Sequence, residues 1–482
     1  MTTASQRPNI LFLLPDQLRA DFLSCYGAGF IDTPHIDALA ARGVRYQRCV
    51  APSPLCVPMR ASLLTGQNAV RNGVLNNNQW LRPDHDACGV QTWPQQLGRA
   101  GYHTAAIGKM HFYPWDITEG FHERVIAEDK RHIHIQDDYA RYLQEHGLRK
   151  YHGNEHEGYF ENKGAIVSKI PAEHQVDVWV ANEACRFIEQ YRDERPFALM
   201  VGFPGPHCPY DPPPELADLF DLAAMPASIP ATADSAAMRA AVIAGNLRPW
   251  NGVDYTEFTE PQKRKIRAHY AALVYQIDQG VGRILAALEH AGHADDTLVI
   301  FASDHGDFLG DYDLIGKNLF YESSVHVPLI VRAPGQQDAR TVNRLVSLTD
   351  IHATILQYAG LTPAPGTDTV VLDGLAGGER RRYVFGASAA GVMVTDNEWK
   401  LARYPDGLTT LFHLADDPRE QRNLAYQDNY ETAMRRLDDI LQGELLHSIV
   451  AGHRDKVVVT HDQDPTFSLP GFQRVYPCAS RE

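Results

Sequence analysis

Nothing in this chain of 482 residues approaches the ~20 consecutive apolar residues of a membrane span, and residues 1–8 lack a basic segment leading into an apolar run and a cleavage site. These absences argue against a membrane-embedded protein and lead us to expect a soluble, cytoplasmic chain with no membrane partner. Cysteine is scarce: the seven present (Cys25, Cys49, Cys56, Cys88, Cys185, Cys208 and Cys478) are odd in number and never spaced C-x-x-C. That pattern suits reduced thiols better than a disulfide framework. Positive charge is also short, with 45 Lys and Arg against 60 Asp and Glu for a formal net charge of −15. Nucleic acid is therefore not expected as a partner, and an anionic substrate would need a locally positive pocket.

What the chain does have is apolar material for a large core, 44% of all residues. Its length exceeds a single typical domain and fits one α/β core with a smaller unit appended. The most informative stretch is Cys56-Val57-Pro58-Met59-Arg60-Ala61-Ser62-Leu63-Leu64-Thr65-Gly66, which reads C-x-P-x-R, four residues, then Thr-Gly. Pro58 suits the first turn of a helix and residues 61–64 continue one, so Cys56 is expected at a helix N-terminus. Backbone N–H groups and the helix dipole there favour an anion, and Arg60 adds a fixed positive charge. A small buried cysteine in a Pro-containing turn is the plain alternative.

Residues 9–14 form a short apolar run ending at Pro15-Asp16, which predicts a buried strand with a carboxylate at its carboxyl end, the edge where open α/β sheets bind ligands. Residues 33–43 read as a capped helix ending in glycine, and residues 93–101 as a second helix. Residues 103–107 then predict a strand running into Gly108-Lys109-Met110-His111. In an extended segment, Lys109 and His111 would project to one face. Residues 113–174 are rich in charge and histidine without periodicity, and read as an insertion with some helix over 138–145 that shapes the substrate pocket.

Residues 175–191 predict a helix and 197–203 the next buried strand, after which prolines present His207 at the sheet edge. Residues 211–258 are rich in Pro and Ala, with Trp250, Tyr255 and Phe258 as candidate pocket walls. A helix is expected over 260–291, capped by Thr259, and a strand over 297–302 that ends in Ser303-Asp304-His305-Gly306. Carboxylate oxygens suit Ca²⁺ or Mg²⁺, and an imidazole also accepts Mn²⁺ or Zn²⁺. Residues 327–333 predict another strand, and a Gly-, Glu- and Arg-rich stretch at 374–382 marks a boundary between units at 1–375 and 376–482. Beyond it, residues 383–394, 399–404 and 410–414 read as strands of a small sheet.

Taken together, the C-x-P-x-R motif, Asp16, Gly108-Lys109-Met110-His111, Pro206-His207-Cys208-Pro209, Asp304-His305-Gly306 and Gly316-Lys317 resemble the signature elements of type I sulfatases. The resemblance spans residues 8 to about 445, since Leu411-Phe412-x-Leu414-x-x-Asp417-Pro418-x-Glu420 is similar to their C-terminal subdomain. It implies an α/β fold of the alkaline-phosphatase type, a mixed sheet flanked by helices, with a smaller C-terminal α+β subdomain. It further implies that a formylglycine-generating enzyme oxidises Cys56 to formylglycine, whose hydrate attacks the sulfur of a small-molecule sulfate ester. Asp16, Gln17, Cys56, Asp304 and His305 would hold a divalent metal, Ca²⁺ first and Mn²⁺ or Mg²⁺ as alternatives. Arg60, Lys109, His111, His207 and Lys317 would complete the catalytic set. In that set, His207 protonates the leaving alcohol and His111 is the base that ends the cycle.

Many sulfatases have an Asp where this chain has Gln17, which leaves that position an amide oxygen or nothing. Gln17 and residues 326–332 lean toward phosphonate monoester hydrolases or phosphodiesterases of the same superfamily, whereas Lys109 and His111 lean back. The run Gly108-Lys109-Met110-His111-Phe112 also resembles choline sulfatase. A catalytically dead binding protein would lack a ligand or the nucleophile, and none is missing. Residues 462–482 carry Phe467, Leu469, Phe472 and Tyr476 between prolines. We expect them to pack across a subunit interface of a homo-oligomer, or else back onto their own subunit.

Overall fold

The computed structural model describes residues 7–364 and 366–454, so the segment 462–482 lies outside the described residues. Among these, the large sheet contains β1 (Asn9–Asp16), β2 (Val44–Val50), β3 (His103–Gly108), β4 (Glu123–Ile126), β5 (Phe197–Pro206), β6 (Thr297–Ala302), β7 (His326–Val327), β8 (Leu329–Arg332) and β9 (Arg340–Ser347). The spatial order is β4-β3-β5-β1-β6-β8-β2, with β9 on the far side of β2. Pro328 breaks one strand into β7 and β8, because its missing N–H interrupts the ladder to β2. That broken strand is antiparallel to β6 and β2, while the other neighbouring pairs run parallel. The carboxyl ends of β1, β2, β3, β4, β5 and β6 therefore open on one edge.

The continuous apolar runs follow from burial of both faces of the sheet. In β1, Leu11 and Leu13 pack on one side with Val180 and Ile277, from the helices Val176–Gln190 and Glu260–His290. Ile10, Phe12 and Leu14 pack on the other side with Met59 and Leu63 of the helix Cys56–Thr65 and Ile355 of the helix Asp350–Tyr358. Side chains of this size contribute about 1.5–3 kcal/mol each when fully buried.

Beyond this core, β10 (Val384–Ser388), β11 (Gly391–Thr395), β12 (Trp399–Arg403) and β13 (Thr409–His413) form an antiparallel sheet. One face packs on Leu437 and Leu441 of the helix Glu431–Arg454. The other packs on Phe308, Tyr312 and Tyr321, which lie in the connection from β6 to β7. Lys400 of β12 ties the two units together, 2.7 Å from both Glu322 and Glu420.

Several expectations are corrected. The strand expected over 383–394 is a hairpin, β10 and β11, turning before Gly391. The helix Ala233–Asn246 was not anticipated in the Pro- and Ala-rich stretch, although Thr232 caps it by accepting from the Ser235 N–H at 3.1 Å. Within the expected insertion, the helix Asp138–Glu145 forms where placed, but residues 123–126 are a sheet strand. Six of the seven cysteines lie among the described residues, and all six are free thiols. No helix among the described residues is long and apolar enough to cross a membrane.

The cap of the helix Pro34–Ala40 also comes from elsewhere. Thr33 makes no side-chain cap, and Asp278 of the long helix Glu260–His290 instead accepts from the backbone N–H groups of His35 at 3.1 Å and Ile36 at 2.8 Å. Burial raises the Asp278 carboxyl to about 6, against these two bonds and His35. A carboxyl raised above its unfolded value contributes stability that is present below about pH 4 and lost as pH rises to about 6. Asp278→Asn keeps an acceptor and never ionises. We expect it to match the wild type at pH 4 and to exceed it by about 2 kcal/mol at pH 7, measured by chemical denaturation. A difference independent of pH would show that Asp278 does not titrate in this range.

Candidate functional site

The site is built from carboxyl ends of parallel strands. Asp16 closes β1, Asp304 and His305 follow β6, His207 follows β5, and Lys109 and His111 follow β3. Cys56 is the first residue of the helix Cys56–Thr65, reached from the end of β2, and Arg60 lies one turn on along it. Cys56 and Arg60 are each 1% exposed, and Asp16, Lys109, Asp304 and His305 are fully buried.

Asp16, Cys56, Asp304 and His305 each offer one ligand atom, and these atoms lie within 4.8 Å of one another. The Cys56 Sγ is 3.1 Å from His305 Nε2 and 3.7 Å from Asp16 Oδ1. His305 Nδ1 is 3.0 Å from the Gly306 carbonyl, to which it donates, so its Nε2 lone pair faces the cluster. Two carboxylates, an imidazole lone pair and residue 56 on one point are a donor set that fits a divalent cation. Gln17 (φ 71°) contributes differently from its neighbours. Its backbone N–H donates to Asp304 Oδ1 at 3.0 Å, while its side chain donates to Asp307 and accepts from Lys317. Gln17 thus stands next to the ligand group with its amide already paired.

Cations close the other side. Arg60 donates to Asp304 Oδ2 at 3.0 Å, to Asp16 Oδ2 at 3.3 Å and to the Lys109 carbonyl at 2.6 Å. Lys109 Nζ lies 2.8 Å from Asp16 Oδ2 and 3.0 Å from Asp129 Oδ2. Burial alone would raise the Asp16 carboxyl, but Lys109, Lys317 and Arg60 together hold it well below the usual carboxylate range. The Cys56 thiol is lowered in the same way: the cations Lys317 and Lys109 act against burial and Asp16.

The alternation expected for Lys109 and His111 does not occur. The strand ends at Gly108 (φ 92°), and His111 has φ 60°, so a turn and not an extended segment aims the two side chains. A Cβ at Gly108 would sit 2.1 Å from the Gly202 carbonyl oxygen, so only glycine lets β3 pass this close to β5. Glu128 pins the turn by accepting from the His111 N–H at 3.1 Å. The His111 ring is buried, its Nδ1 has no hydrogen-bond partner, and burial and Lys109 hold it neutral, well below its usual value.

His207 Nδ1 is 2.8 Å from the Cys208 carbonyl, which it faces as donor, so Nε2 accepts from Lys317 Nζ at 2.6 Å. Burial, Lys317, Arg131 and Lys109 keep His207 well below its usual value.

Sequence reasoning missed Glu128, Asp129 and Arg131, all of which follow the unanticipated strand β4. Of the candidate pocket walls, Tyr255 and Phe258 belong to the core, whereas Trp250 is 42% exposed with the Arg131 guanidinium 4.6 Å above its ring. Residues 76–79 form a turn closed by the Gln79 side chain, and Asn77 accepts from the Val57 N–H at 3.1 Å beside Cys56.

Comparison with known proteins agrees with this geometry. The family model described as Sulfatase matches residues 8–361. The chain is 28% identical over 467 residues to an arylsulfatase of Clostridium perfringens (strain 13 / Type A), covering 91% of this chain and 94% of that protein. It is 30% identical over 456 residues to a choline-sulfatase of Rhizobium meliloti (strain 1021), covering 88% and 83%. Among solved structures, the phosphonate monoester hydrolase of Agrobacterium radiobacter superposes with a TM-score of 0.78 at 26% identity, covering 92% of this chain and 96% of that one.

Proposed function

We infer the reaction from one premise: the chain belongs to the sulfatase family. It is a sulfuric ester hydrolase, and we assign it sulfate monoesters as substrates and a formylglycine at position 56 as nucleophile. The observation that carries this reading is the placement of Cys56, at a helix N-terminus between a metal-fitting cluster on one side and Lys109, His207 and Lys317 on the other. Charge supports it. The buried carboxylates Asp16, Asp129, Asp304 and Asp307 are matched by the cations Arg60, Lys109, Arg131 and Lys317, and Glu128 by Arg124 at 3.5 Å, so these ten side chains carry no net charge. A divalent cation would add two positive charges, which a monoanionic ester and an ionised nucleophile would offset.

Asp16, Asp304, His305 and residue 56 would hold the metal, with Ca²⁺ our first assignment from the oxygen donors. Bound there, it would supply Lewis-acid stabilisation of developing negative charge. Arg60 holds Asp16 and Asp304 in register, and Lys109 and Lys317 bind sulfuryl oxygens. One hydroxyl of the hydrated aldehyde, having released its proton to solvent to give the ionised nucleophile counted above, forms the new S–O bond as the S–O bond to the alcohol breaks. The alcohol takes its proton from the Lys317–His207 pair, which shares one hydrogen at Nε2. His111 Nδ1, unpartnered and neutral, then takes the proton of the second hydroxyl, sulfate leaves and the aldehyde reforms.

The second reading, phosphonate monoester hydrolysis, is favoured by Gln17 beside Asp16 and by the likeness to the Agrobacterium enzyme. We test the two with 4-nitrophenyl sulfate, choline sulfate and a 4-nitrophenyl phosphonate monoester on one preparation. Sulfate monoesters should exceed the phosphonate by about 100-fold or more in kcat/KM. The reverse order would replace the first reading by the second.

A further inference from the structure

Two cations, Lys317 and Arg131, converge on His207 Nε2, and Arg131 belongs to none of the motifs. Arg131 grips Asp129 with two bonds, Nε to Oδ1 at 2.8 Å and Nη2 to Oδ2 at 2.6 Å. The same Nη2 lies 3.4 Å from His207 Nε2, and Nη1 lies 3.7 Å from the Cys208 sulfur. The neutral His207 ring has a single acceptor, Nε2, and Lys317 Nζ already fills it at 2.6 Å. The Arg131 N–H aimed at that place is therefore surplus to the protein, and it points where an oxygen can receive it.

Asp129 explains why a guanidinium stays there. Its carboxylate takes Arg131 on both oxygens and Lys109 on Oδ2 at 3.0 Å, and it lies 3.9 Å from His207 Nδ1. It is 1% exposed, and Arg131 together with Lys109 keeps it ionised against burial. On its outer side, the guanidinium rests on the exposed Trp250 ring at 4.6 Å.

We propose that Arg131 is a substrate-contacting residue that stabilises the negative charge developing on the leaving oxygen, and that Asp129 is the positioning residue that holds it there. The proposal rests on the hydrolase reading above. The bond that breaks is the one between the sulfuryl centre and that oxygen. The oxygen keeps the electron pair and takes its proton from the Lys317–His207 pair, while Arg131 donates a hydrogen bond without losing its proton. The consequence for substrate class is a site equipped for alcohols that leave poorly, alkyl and unactivated phenyl esters, because such oxygens gain most from a charged donor.

The test is a leaving-group series, from 4-nitrophenyl through phenyl to an alkyl ester, on the metal-loaded enzyme and its Arg131→Ala, Arg131→Lys and Asp129→Asn variants. We expect Arg131→Ala to lose about 100-fold in kcat on phenyl and alkyl esters but less than about tenfold on the nitrophenyl ester. Asp129→Asn should steepen the dependence in the same sense, Arg131→Lys should retain more activity than alanine, and added guanidinium ion should partly rescue Arg131→Ala. An equal loss on every substrate, or no loss, overturns the proposal. If Arg131→Ala fails to fold, the slopes of Arg131→Lys and Asp129→Asn decide it by the same criterion. If the wild type prefers phosphonate monoesters, the same series is run with those esters, so failure of the sulfate reading leaves this result interpretable.

Discussion

Cys56→Ala is expected to reduce turnover to the background rate while the protein still folds. The residue is 1% exposed and contributes one sulfur to a polar cluster, so its loss costs about 1 kcal/mol of stability. Every hydrogen bond that shapes the helix Cys56–Thr65 is made by backbone or by other side chains, including the bond from Val57 N–H to Asn77 at 3.1 Å. The catalytic loss, by contrast, is that of the nucleophile itself, about 10⁴-fold or more where nucleophile removal has been dissected in other enzymes. Activity and thermal melting of the variant would be measured beside mass spectrometry of the wild-type peptide that contains position 56. We expect an aldehyde in place of the thiol in active preparations. A fully active enzyme whose residue 56 is entirely unmodified cysteine would rule out the formylglycine step.

The second large effect is expected at Asp304, where metal and activity should fall together. Its Oδ1 receives the N–H groups of Gln17 and His305, both at 3.0 Å, and its Oδ2 receives Arg60 at 3.0 Å. Asp304→Ala removes one ligand of the four-residue group and leaves the buried Arg60 with a single carboxylate partner. Breaking such a buried pair costs about 3–5 kcal/mol, so the alanine variant should also melt earlier. Asp304→Asn separates the effects, since its amide oxygen can still accept the two backbone N–H groups while the charge is lost. Metal analysis should give a large loss in both variants, and melting should fall in both, since both lose the ion pair to Arg60, and further in alanine, which also loses the acceptor for the two backbone N–H groups. Stoichiometric metal retained in Asp304→Ala would place the metal site elsewhere.

Much of the candidate site was legible in the chain because each of its parts is local. Cys56 and Arg60 are four residues apart on one helix, so spacing alone puts them one turn apart. Asp16, His207 and Asp304 each follow a short, continuous apolar run, which reads as an interior parallel strand, and the carboxyl end of such a strand is where open α/β sheets bind ligands. Composition likewise sufficed to expect free thiols, and the described cysteines are free.

Tertiary structure decided what depends on short or borrowed contacts. Strand β4 has four residues, too few for a periodic signal, and owes its place to pairing with β3 from Ala105 to Gly108. With that strand went Glu128, Asp129 and Arg131, whose roles arise only when its end is laid beside β3 and β5. The same holds for Asp278, which caps a helix distant in sequence, and for Gln17, whose amide is committed by Asp307 and Lys317. His111 was placed in the site by its motif, but the conformation that aims it comes from a left-handed turn held by Glu128. Local pattern sets which segments become strands and helices, because burial and backbone pairing act within a few residues. The charge partners of a buried group are set by which strand ends meet, and that is a property of the folded sheet.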